Sequence, residues 1–185
     1  MLKRAIFVLS LAVFPLLTSA NNLTLNERVT PVGVNDKGEL IYDNNQFSYQ
    51  GWNSAKLVGK VRIIQHIAGR TSAKELNAPL VDAIKLANLP RDRYQTTTIV
   101  NTDDAIIGTG PFVRSSIEEN KREFPWSQFI VDSNGFVAKA WGLKAKSSAI
   151  IVLDKEGKIV SMKEGALTAA EVQQTISSLH KLLAD

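Results

Sequence analysis

Cysteine is absent from the 185 residues, and histidine occurs only at His66 and His180. Each absence excludes a chemistry. The thiolate is the nucleophile of thiol–disulfide exchange, so no such step can run through this chain. No disulfide can staple it either, even in an oxidising compartment where one would persist. Zinc would have two histidines and scattered carboxylates at no metal-ligand spacing, so neither a metal nor another cofactor is expected. Charge of one sign is also scarce. The formal net charge of +4 falls to +2 without Lys3 and Arg4, and the remaining charges are interspersed. With no basic stripe, nucleic acid is not an expected partner. Beyond the first twenty residues no apolar run approaches the length of about 20 residues that a membrane helix needs.

Those first twenty residues have a pattern of their own. Lys3 and Arg4 form a basic start, residues 5–17 are apolar except for Ser10 and Pro15, and Thr18-Ser19-Ala20 supplies small residues. This is the layout of a secretory signal peptide, with cleavage expected after Ala20 and delivery to the periplasm. Residues 21–185 then suffice for one domain with its own core. They divide into an N-terminal extension, 21–56, and a core, 57–185.

Three Asp-to-Gly segments punctuate the chain: Asp36-Lys37-Gly38, Asp132-Ser133-Asn134-Gly135 and Asp154-Lys155-Glu156-Gly157. Each lies between apolar stretches and is expected to form a hairpin turn. The first would join residues 32–34 to 39–42. Residues 61–67 (VRIIQHI) read as a buried strand, and residues 72–89 as one helix with Leu76, Leu80, Ala83, Ile84 and Ala87 on a face. A β-branched strand at 96–100, a helix at 114–124 and a short strand at 129–131 follow. A helical turn at 137–141, two strands at 149–153 and 158–162 and a helix at 168–183 complete the chain. This order predicts an α/β fold with a central mixed sheet flanked by helices.

The stretch from Phe124-Pro125-Trp126 through Asp132-Ser133-Asn134-Gly135 to Ala140-Trp141-Gly142-Leu143 is similar to the late half of peroxiredoxin and thioredoxin-like domains. Residues 150–160 resemble the penultimate hairpin of those domains. The likeness extends over residues 57–183. More narrowly, residues 66–75, 94–105 and 125–135 resemble the YtfJ family of small secreted proteins. The resemblance implies a thioredoxin-like fold carrying an N-terminal β-hairpin extension.

It also implies where a redox site would be. A strand in such domains runs into a Cys-x-x-Cys helix that carries a proline. Here VRIIQHI runs into Ala68-Gly69-Arg70-Thr71-Ser72-Ala73-Lys74, with Pro79 in register, so Thr71 and Lys74 occupy the two cysteine positions. The family's cis-proline position falls on Ser148. A cis bond before a non-proline residue costs about 2.5–4 kcal/mol, so a trans peptide is expected there. The candidate remnant site is thus His66, Arg70, Thr71, Ser72, Lys74, Asp103 and Ser148.

Two readings of these residues remain. In the first, the face binds a protein, a peptide or a small anion. Ser72-x-x-Glu75 has the capping-box pattern, and the helix start beside Arg70 and Lys74 would suit an anion. In the second, an enzyme independent of cysteine uses Thr71, Lys74 and His66 with the Asp103/Asp104 pair. His66 otherwise reads as a satisfied structural histidine, His180 as exposed, and Trp52, Trp126 and Trp141 as core or half-buried anchors.

Overall fold

The computed structural model describes residues 21–184; the expected signal segment lies outside the described residues. Strand β3 (Val61–Ala68) is buried along its whole length, which is why its sequence is nearly continuous in apolar residues. It pairs in parallel with β4 (Tyr94–Asn101), which pairs in parallel with β5 (Gln128–Asp132). The antiparallel β6 (Ser148–Leu153) joins the other side of β3, and β7 (Ile159–Glu164) follows it through the hairpin at Gly157. Strands β1 (Gly33–Asp43) and β2 (Gln46–Asn53) extend the opposite edge, because β1 pairs with β5. One seven-stranded mixed sheet results, in the order β2-β1-β5-β4-β3-β6-β7. The N-terminal hairpin is therefore part of the central sheet.

Two of the three expected hairpin turns are something else. Asp36–Gly38 lies inside β1 as a register irregularity between Val34 and Glu39. The real turn is Asn44-Asn45, with both residues at positive φ, 47° and 60°. Two-residue hairpin loops need this left-handed backbone to match the twist of the strands, and asparagine tolerates it. Asp132–Gly135 leads from β5 into helix α4 (Phe136–Trp141). The Asp132 carboxylate accepts the Phe136 and Val137 N–H groups at 3.0 and 2.8 Å.

The helix expected over 72–89 is two helices, α1 (Thr71–Glu75) and α2 (Ala78–Ala87). Pro79 explains the division. It has no N–H to give the Glu75 carbonyl, and its ring would collide with that carbonyl in a continuous helix. Helix α3 (Gly110–Glu123) begins earlier than expected, with Pro111 in its first turn where a missing N–H costs nothing. Helix α5 (Ala169–Ala184) carries the chain's true capping box. Thr168 Oγ1 accepts the Glu171 N–H at 3.2 Å, and the Glu171 carboxylate accepts the Thr168 N–H at 2.8 Å.

Helix α4, Trp52 and Leu57 pack on one sheet face with Ile64, Ile99, Ile130 and Ile151. The other face holds two separate apolar clusters. Leu80 of α2 and Val172 and Leu179 of α5 cover Ile63, Ile150 and Val152. Ile117 of α3 covers Leu40, Val100, Phe129 and Val131. Between these clusters, α2 and α3 diverge over Gln65 and Ile67 of β3 and Thr96 and Thr98 of β4.

Candidate functional site

Gly69 follows strand β3; a side chain there would press on the Asn101 carbonyl and Ala105, so glycine lets the strand end lie against the β4–α3 loop. The Gly69 N–H donates to the Asn101 carbonyl at 2.8 Å. Arg70 has extended backbone and caps α1, which starts at Thr71 as the resemblance implied. The Arg70 guanidinium donates through Nε to the Asp104 carbonyl at 2.9 Å, tying α1 to the same loop. Ala68 donates its N–H to the Ser147 carbonyl at 3.0 Å, placing the end of β3 beside the Ser147-Ser148 segment. Ser148 Oγ donates to Asn77 Oδ1 at 3.4 Å, and no peptide bond among the described residues is cis.

The other expected residues are dispersed. Ser72 is exposed, and α1 has no side-chain cap, so the Ser72/Glu75 capping box does not form; the capping role falls to the Arg70 backbone. His66 is buried on the α4 side of the sheet. Its neighbours Gln65 and Ile67 point to the opposite face, where Thr71 and Lys74 also lie. Among the described residues its Nε2 has no hydrogen-bond partner, which departs from the expectation of a satisfied histidine. Burial lowers the imidazole pKa to about 4, partly opposed by the Asp104 charge. The two aspartates diverge. Asp103 pairs with Lys139 at 3.5 Å, whereas Asp104 accepts the Lys146 N–H at 2.9 Å. Among the described residues no three histidine, aspartate or glutamate side chains gather as a metal site would require.

A further feature was not read from the sequence. A groove of about 710 Å³ runs between α2 and α3 over β3, β4 and β5. Its floor includes Gln65, Ile67, Thr96, Thr98 and Phe129; Val81 and Ile84 line one wall, Val113 and Ile117 the other. Arg70, Thr71 and Lys74 are at the end where the parallel strands terminate, the edge at which open α/β folds hold ligands. There Lys74 Nζ reaches across to Ser116 Oγ at 3.4 Å. The exposed Ile106 and Phe112 also line the groove. At the other end the Arg91 guanidinium stacks 3.4 Å from the Trp126 ring, which is half-exposed, unlike the buried Trp52 and Trp141. Ile106 and Phe112, apolar residues flanking the start of a helix, were the sequence signal for this surface.

The family described as "Bacterial protein of unknown function (YtfJ_HI0045)" matches residues 23–182. The chain belongs to the YtfJ family. It is 60% identical to the "Uncharacterized protein YtfJ" of Escherichia coli K12, over 99% of this chain and 100% of that one. An "Uncharacterized protein" of Haemophilus influenzae is 43% identical, over 98% and 99%. Solved structures share the fold of this YtfJ-family chain at much lower identity. A putative protein disulfide isomerase from Bacteroides thetaiotaomicron has a TM-score of 0.61 at 14% identity, covering 89% of this chain and 93% of its own. A putative thiol:disulfide interchange protein DsbE from Chlorobium tepidum has 0.58 at 12%, covering 87% and 99%. The fold is thioredoxin-like and the chain has no cysteine.

Proposed function

We propose that this YtfJ-family protein is a periplasmic binding protein: a thioredoxin-like scaffold without thiol chemistry that holds its ligand beside the former redox helix. One observation carries the reading. The groove between α2 and α3 is large, mostly apolar and open at the end where Thr71 begins α1. Ligand sites are concave, mainly apolar and furnished with a few polar groups. The residues of the alternative enzyme reading do not converge, since His66 is across the sheet from Thr71 and Lys74. The basic, apolar and small-residue pattern of residues 1–20 supports export.

The test is binding of an environment-sensitive apolar dye such as anilinonaphthalene sulfonate to the folded protein. Saturable binding at one site, lost when Val113→Trp fills the groove, is the expected result. Dye binding unchanged by that substitution would remove the groove from the function. Osmotic-shock fractionation should release a protein whose N-terminus is Asn21.

A further inference from the structure

We infer that the groove takes an amphipathic organic anion, a long-chain carboxylate whose tail lies along β4 and whose head meets Lys74. This rests on the binding reading above and specifies its ligand.

The lining contains four cationic side chains, Arg70, Lys74, Lys85 and Arg91, and no carboxylate. Three of the four are engaged. Arg70 donates to the Asp104 carbonyl. Lys85 sits 3.9 Å from Glu123 and 4.8 Å over the Phe124 ring, and Arg91 stacks on Trp126. Lys74 contacts only the Ser116 hydroxyl and has no acidic partner among the described residues. An ammonium group held across the mouth of an apolar groove complements a ligand with one negative end. Thr71, also lining that end, offers a hydroxyl beside it.

The shape favours a linear tail. The floor runs along β4 from Tyr94 to Val100, six strand steps or about 20 Å. The walls at Val81, Ile84, Val113 and Ile117 are aliphatic and suit a hydrocarbon chain, which would pass over the side chains of Gln65, Thr96 and Thr98 on the floor. An extended peptide fits poorly. Strand β3 is already paired with β4 and β6, and β4 with β3 and β5. The groove therefore offers no strand edge, and a peptide backbone lying in it would leave polar groups unsatisfied.

The test is a titration of the purified protein with the fluorescent fatty acid cis-parinarate. Displacement by palmitate and by methyl palmitate is then compared, below micelle-forming concentrations. Saturable binding is expected, with palmitate displacing the probe roughly fivefold better than its neutral ester, the scale of one exposed ion pair. Lys74→Met should remove that preference, so that acid and ester displace the probe equally, in a protein whose unfolding midpoint is unchanged. Equal displacement by acid and ester, or an unaltered preference in Lys74→Met, overturns the head-group assignment and leaves apolar binding standing. If neither parinarate nor the apolar dye binds, both this inference and the reading beneath it fall.

Discussion

At the residue scale the imidazole of His66 is the most consequential unpaired group. Its Nε2 is buried without a partner among the described residues, and burial holds its pKa at about 4 against an ordinary 6.5. Between those two values the unfolded chain binds more protons than the folded one. The unfolding free energy therefore rises with pH across this window, and stability is lost on acidification through it. The shift corresponds to about 3 kcal/mol at most, on the scale of 1.36 kcal/mol per pKa unit. Urea midpoints at pH 7 and pH 4.5 measure it. His66→Gln should show a smaller acid loss than the wild type; an equal loss would assign the effect to the carboxylates. Sequence located this histidine on a buried strand, and strand alternation puts it on the face opposite Gln65 and Ile67. Whether Nε2 finds a partner depends on what α4 and the β4–α3 loop bring over the sheet, which alternation does not encode.

At the scale of elements, most strands and helices were legible from periodicity, and the errors lie where one signal serves two structures. Asp36-Lys37-Gly38 between apolar runs suits a hairpin, yet in β1 it makes an irregularity. Gly38 has φ 77°, and a Cβ there would run into the Gln50 carbonyl of β2. Gly38→Ala should therefore destabilise by roughly 2 kcal/mol or more, from left-handed strain and the clash together. The turn that does form, Asn44-Asn45, lacks the glycine that usually announces one. Asn45→Gly should be neutral or stabilising by up to about 1 kcal/mol, because glycine adopts positive φ without strain. Thermal unfolding of the two variants should move in opposite directions or differ clearly in size. At the other end of the chain, Thr168→Ala removes a formed capping box and should cost about 1 kcal/mol. Ser72→Ala should cost little, since Ser72 caps nothing.

At the scale of the whole molecule, the sheet order and layers follow from the succession of elements, but the groove does not. Its lining comes from β3, α1, α2, β4, α3 and β5, and its existence depends on α2 packing toward α5 while α3 leans over β1. No local pattern records that divergence. The same architecture bears on how much of a redox protein persists. Thr71 opens α1, three residues before Lys74, and the end of β3 lies against Ser147-Ser148. If only sulfur is missing, the pair Thr71→Cys and Lys74→Cys should restore a Cys-x-x-Cys arrangement in working position. Such motifs lower thiol pKa values, and the thiolate sets the exchange rate. The double variant should form an intramolecular disulfide and accelerate the reduction of insulin by dithiothreitol, where the wild type gives only background. Each single variant should be much weaker, because a lone thiol cannot resolve the mixed disulfide within the chain. A double variant that forms its disulfide yet stays at background would locate the loss in the surroundings as well. Ser148 at the cis-proline position would then be the first residue to replace.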